Sequence, residues 1–82
     1  MTENKKIRIG VIGIAGRMGR EISKIILEDK KCSLSAGLEK KNSEFIGEDV
    51  GILVGKSKQG IMITDNVNNF FDYLDVVIEF GD

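Results

Sequence analysis

With 82 residues, 12 Lys and Arg against 13 Asp and Glu, and a formal net charge of −1, the chain makes one small domain and lacks the basic excess that nucleic-acid binding requires. It has no histidine, so the commonest general base and the commonest metal ligand are missing. Its one cysteine, Cys32, excludes an internal disulfide and a cysteine zinc cluster, and fits a reducing cytoplasm.

Met1 to Lys6 is polar and charged and reads as a flexible tail, with the domain running over 7–82. Lys5 and Lys6 ahead of an apolar run look superficially like a secretory signal. Arg8 interrupts that run and its glycines weaken a helix, so a signal peptide is rejected. No stretch reaches the roughly 18 apolar residues of a membrane span, so no membrane is expected as a partner.

Ile7 to Ile12 is rich in β-branched residues and predicts a strand buried on both faces. Gly13 to Gly16 forms a turn. From Arg17 to about Asp29, Met18, Ile22, Ile25 and Ile26 fall on one apolar stripe and predict a helix. Arg17 and Arg20 sit in its first turn, where the helix dipole disfavours cations; a bound anion would relieve this, and plain solvation is the other reading. Cys32 to Glu39 alternates, with Cys32, Leu34, Ala36 and Leu38 on one side, and predicts a second strand.

Lys40 to Gly60 has no clean period beyond a short helical turn around Glu48 to Leu53. A loop this long is more often functional or mobile than inert. Ile61 to Thr64 predicts a third strand. Asp65 or Asn66 can cap a helix with the apolar face Val67, Phe70, Phe71 and Leu74, and Val76 to Phe80 predicts a fourth strand. The order β-α-β-loop-β-α-β is the first half of a doubly wound parallel α/β sheet of about four strands, order 3-2-1-4. Its binding crevice is expected between the ends of strands one and four, near Gly13 and Phe80.

The glycines at 10, 13, 16 and 19 lie between strand and helix. A tight turn, a backbone close to a pyrophosphate and a helix lying on a strand all need a residue without Cβ. Glu39 closes the second strand 20 residues after Gly19. A carboxylate there can accept from ribose hydroxyls, or be a solvated strand end; the strand-turn-helix context favours the first reading. Lys40 can meet the 2′-phosphate of NADP, whereas Glu39 alone favours NAD, and Lys41 reads as solvated. Gly55-Lys56-Ser57 lacks the earlier glycine and following helix of a phosphate-binding loop, so ATP or GTP binding is rejected there. Cys32 reads as a core residue, Tyr73 as half-buried packing, and Glu79 and Asp82 as structural or solvated acids.

On these residues a family resemblance becomes specific. Gly10 to Glu21, G-V-I-G-I-A-G-R-M-G-R-E, resembles the amino-terminal signature of the 4-hydroxy-tetrahydrodipicolinate (dihydrodipicolinate) reductases. The likeness continues through Ala36 to Lys40, Gly47 to Gly51 and Val76 to Phe80. It implies the Rossmann-like half of an enzyme that passes hydride from NADH or NADPH to a cyclic dicarboxylate, in the diaminopimelate route to lysine. By that resemblance Gly13, Ile14, Ala15, Gly16, Arg17 and Met18 cradle the pyrophosphate. Glu39 holds the adenine ribose, Lys40 faces the 2′-phosphate site and Phe80 lies near the nicotinamide. Gly81 stands where the family has Thr or Ser.

Family members are about three times this length and have a substrate domain with a His-His motif and a lysine. A piece of a longer protein is therefore expected, without catalytic residues or activity of its own. The dicarboxylate would bind only with the missing domain, and a homotetramer only at full length. The alternative is a nucleotide-sensing regulatory module of the same fold without catalysis.

Overall fold

The computed structural model describes residues 5–80. The part of the tail at 1–4, together with Gly81 and Asp82, lies outside the described residues; Lys5 and Lys6 are exposed and precede the first strand.

β1 (Ile7–Ile12) occupies the middle of a four-stranded parallel sheet of order β3-β2-β1-β4. The other strands are β2 (Cys32–Leu38), β3 (Ile63–Thr64) and β4 (Val76–Glu79). α1 (Arg17–Glu28) crosses from β1 to β2, and the short α2 (Val50–Leu53) precedes β3. The doubly wound topology expected from the sequence is the one observed. Arg8 pins the entry to β4 by a two-pronged pair with Asp75, Nε to Oδ2 and Nη2 to Oδ1, each 3.1 Å. Two main-chain bonds reinforce it: Arg8 N to Asp75 Oδ2 and Asp75 N to the Arg8 carbonyl. The guanidinium and the backbone N–H of Arg8 together hold the Asp75 carboxyl at about 2.

One helix-side core joins Ile9, Val11, Ile14, Ile26, Leu34, Val50 and Ile63. Two sequence expectations about it fail. The apolar stripe on α1 is misphased: Met18 and Ile25 are 55% and 59% exposed, and the buried positions are Gly19, Ser23 and Ile26, with Ile22 packed beside them. The helix lies so close to the sheet that small residues face it. A Cβ on Gly19 would meet the Gly13 carbonyl oxygen and lie 2.7 Å from Ile14 Cα. The alternation of β2 also breaks. The register slips between Ile9↔Leu34 and Gly10↔Ala36, leaving Ser35 as an extra residue. Past it, Ala36 and Leu38 pass to the opposite face, and Gly37 takes the helix side, where the Ile14 side chain covers it.

The helix expected after Asn66 is absent. Residues 68–73 form a series of turns closed by bonds from Phe70 N to Val67 O, Asp72 N to Asn69 O and Leu74 N to Phe71 O. Side chains compete with the helix at its start: Thr64 Oγ1 accepts from Asn66 N, and Asn66 Oδ1 from Asn68 N. Tyr73 takes φ +67° and is 80% exposed, so it is not the packing residue expected. The segment still covers its face of the sheet. Phe70 is buried, and it and Leu74 fill the space over Gly10.

Lys40 to Gly60 is an ordered lobe built on Asp49. This carboxylate, 7% exposed, caps α2 by accepting from Gly51 N (2.8 Å) and Ile52 N (3.1 Å). It also accepts from Gln59 N (2.9 Å), Gly60 N (2.7 Å) and Ile61 N (3.2 Å). Val50 N to Ile61 O and Ile63 N to Glu48 O then zip the lobe to the approach of β3. Lys56 pairs with Glu28 of α1. Gly55-Lys56-Ser57 follows a helix instead of preceding one, as its rejection as a phosphate loop required.

Candidate functional site

The glycine turn is shaped by two clashes avoided. Gly13 has φ +79°, and a Cβ there would meet the carbonyl oxygen of Phe80. Gly19 is the other, under the turn. Gly16 is different. It has φ −74° and ψ 172°, open to any residue, and the nearest atom to an added Cβ is Gly13 O at an ordinary 3.5 Å. Nothing in the fold demands glycine there. Gly16 is also the N-cap of α1, and no side chain caps that helix. The start of α1 therefore carries free donors and the positive end of its dipole, with the space above Gly16 clear.

A cleft of about 890 Å³ opens over this turn, at the carboxyl ends of the strands. Ile12, Gly13, Ala15 and Gly16 form its floor, Leu38 and Glu39 one side, and the lobe from Lys40 to Phe45 its wall, with Phe80 at the far edge. The crevice expected between strands one and four is met only at Gly13 and Phe80; among the described residues none of β4 lines the cleft, which lies over the ends of β1 and β2 and against the lobe. Glu39 is drawn to the turn: its Oε2 accepts from Ala15 N at 2.7 Å and its Oε1 from Lys40 N at 3.2 Å. The Glu39 backbone is held independently, its N–H donating to Thr64 O.

Of the nine residues singled out from the sequence, Gly13, Ala15, Gly16, Glu39, Lys40 and Phe80 line the cleft. Ile14 does not present its side chain there; it is fully buried in the core, and its N–H points to Leu38 O at 3.4 Å. Arg17 and Met18 are exposed on the first turn of α1, outside the lining. Arg20 is already engaged. Its Nε donates to the Ala15 carbonyl at 2.8 Å and its guanidinium lies 4.9 Å from the centre of the Phe45 ring. It thus braces the turn against the lobe, with no anion needed to accommodate it. The lobe residues Asn42, Ser43, Glu44 and Phe45 were not found from the sequence, and Lys41, read there as solvated, also lines the cleft. Asn42, with φ +78°, is the one with a local signal, since asparagine tolerates that conformation. Among the described residues, no cluster of three or more His, Cys, Asp or Glu is placed to hold a metal, and no helix is long and apolar enough to cross a membrane.

A parallel sheet of order 3-2-1-4, a glycine turn leading into an uncapped helix and an acid at the end of the second strand define the first half of a Rossmann-like dinucleotide-binding domain. Comparison with known proteins is more specific. The family described as "Dihydrodipicolinate reductase, N-terminus" matches residues 7–82, and the chain belongs to it. Among similar proteins, the 4-hydroxy-tetrahydrodipicolinate reductase of Bartonella tribocorum is 40% identical over 75 residues, covering 92% of this chain and 28% of that protein. Those of Wolbachia pipientis subsp. Culex pipiens and Buchnera aphidicola are 41% and 38% identical, over 92% and 94% of this chain and 29% of each relative. The chain thus spans under a third of the length of these relatives.

Proposed function

We propose that the cleft holds NADH or NADPH, and that the chain is the cofactor-binding part of a reductase converting 4-hydroxy-tetrahydrodipicolinate to tetrahydrodipicolinate in the diaminopimelate route to lysine. The observation that carries the reading is the 2.7 Å contact between Glu39 and Ala15 N–H. Residues 24 positions apart meet at one point, so a ribose-binding acid and a pyrophosphate-binding turn can serve one ligand. The room over Gly16 supports it, because a glycine that the fold does not need suits a ligand pressed against the backbone.

In this reading the first-turn N–H groups of α1 and the Ala15 N–H donate to the pyrophosphate. Glu39 accepts from the adenine ribose, Lys40 sits beside the 2′-position, and Phe80 covers the nicotinamide end. The bound cofactor supplies a hydride to the substrate. The chain's own residues bind and orient it; we assign none of them a catalytic role.

Titration with NADH and NADPH tests the site, and absence of saturable binding to folded protein at millimolar ligand sinks it. Glu39→Ala weakens NADH by about 1–2 kcal/mol, the scale of a lost hydrogen bond to a charged group; unchanged affinity removes Glu39 from the site. Gly16→Ala separates binding from folding. Its thermal midpoint stays within a few degrees of the parent, since the methyl meets only ordinary contacts, while NADH affinity falls ~10-fold or more. Retained affinity in a folded Gly16→Ala protein contradicts the placement of the pyrophosphate.

A further inference from the structure

We infer that Glu39 is a removable internal occupant of the glycine turn, one that bars small phosphate anions from the site while admitting ligands that carry a ribose diol. This rests on the dinucleotide reading above and concerns what that site refuses.

The Glu39 carboxylate takes the Ala15 N–H that a phosphate oxygen would otherwise use. Its other oxygen rests on Lys40 N. The Glu39 main chain is fixed by Thr64 O, so release requires only side-chain rotation. The carboxylate lies at the wall of an open cleft and can swing into it without disturbing the core.

Inorganic phosphate or pyrophosphate faces two obstacles. To add the Ala15 N–H to the free donors of α1 it must displace a charged acceptor, and at either place it lies close to that negative charge. Such an anion offers the carboxylate no compensating donor. A dinucleotide supplies one. Its ribose hydroxyls donate to Glu39 as its phosphate accepts from Ala15, so the Ala15 N–H and the carboxylate both find new partners. The same negative charge therefore repels one class of ligand and recruits the other. Removing it must move the two affinities in opposite directions, whereas a purely structural role for Glu39 would weaken both.

The test uses the full chain and its Glu39→Gln and Glu39→Ala variants at fixed ionic strength. Thermal unfolding verifies the fold of each, and the near-isosteric Gln variant decides if Ala does not fold. Pyrophosphate is titrated by calorimetry and NADH by fluorescence. The expected result is a pyrophosphate Kd lowered ~10-fold or more in the variants and an NADH Kd raised by a similar factor. Pyrophosphate binding that is unchanged or weaker in the folded variants overturns the inference. If NADH weakens without that gain, the dinucleotide reading stands and this inference falls. If pyrophosphate tightens while NADH binds neither parent nor variant, the internal occupant stands and the dinucleotide reading falls.

Discussion

Gly19→Ala destabilises the domain by about 3 kcal/mol and abolishes dinucleotide binding. The added methyl has no flexible neighbour to displace. It meets the Gly13 carbonyl oxygen and lies 2.7 and 2.8 Å from the Cα and carbonyl carbon of Ile14, all backbone of the turn. Relief requires α1 to lift from the sheet, opening the contacts of Ile22 and Ile26 with the core, or the turn to move. Either movement disturbs Ala15 and the start of the helix. For a domain of this size the cost corresponds to a fall of roughly 15 °C in the thermal midpoint. Urea unfolding and NADH titration measure the two effects. A near-parental midpoint would show that the helix can ride away from β1 cheaply, and that Gly19 is dispensable. The contrast with Gly16→Ala is the diagnostic feature, because these glycines are one helical turn apart and have opposite reasons to lack a side chain.

Asp49→Ala unfolds the Lys40–Gly60 lobe and with it the cleft wall. Five backbone N–H groups, from Gly51, Ile52, Gln59, Gly60 and Ile61, lose their shared acceptor in one substitution. The expected fall in thermal midpoint is ~10 °C or more, with protection from amide exchange lost across the lobe before it is lost in β1. An unchanged midpoint would mean that solvent satisfies these groups as well as the carboxylate does. The same residue sets the acid response. Burial pushes the Asp49 carboxyl up, but the N–H groups of Gln59, Ile52, Gly60 and Gly51 outweigh it and hold it at about 2. The folded value lies below the ~3.9 of an unfolded aspartate, so the contribution is complete above about pH 4 and is lost as pH falls toward 2. Asp75 acts in the same direction through Arg8. Stability should be flat near neutrality and fall steeply below pH 4. Asp49→Asn removes one titrating group and makes that fall shallower; an identical acid slope in parent and variant would exclude Asp49 as a source.

Local patterns in the sequence revealed β1, α1 and β2 almost residue by residue, and the strand order followed from their sequence along the chain. The glycine turn and Glu39 stand out in the sequence by their spacing, and the fold brings the two together. The buried face of α1 was not, because apolar periodicity favours Met18 and Ile25, whereas close approach to the sheet selects Gly19 and Ser23. The segment after Thr64 has a helical pattern but is diverted by the Thr64 and Asn66 side chains, a competition that periodicity does not register. Asp49 reads as one loop acid among many. Its partners are divided between the residues just after it and a stretch ten positions on, and only the folded lobe brings them together. Phe45 is likewise ordinary in sequence and becomes part of the cleft through Arg20, on another element.

The slipped register at Ser35 makes β2 a ruler with one extra mark. Counting from the glycines to Glu39 measures chain length, but the distance that matters is the number of rungs along β1. Deleting a residue of β2 beyond Ser35 would carry the carboxylate one step, ~3.3 Å, along the strand and turn it to the other face of the sheet, whereas losing Ser35 itself would restore a regular ladder and leave Glu39 in place. A deletion of the same size in an exposed turn would be absorbed locally. Related chains that keep this turn and acid should therefore vary in length before Cys32, at Ser35 or after Lys40, and keep Ala36 to Glu39 at constant length.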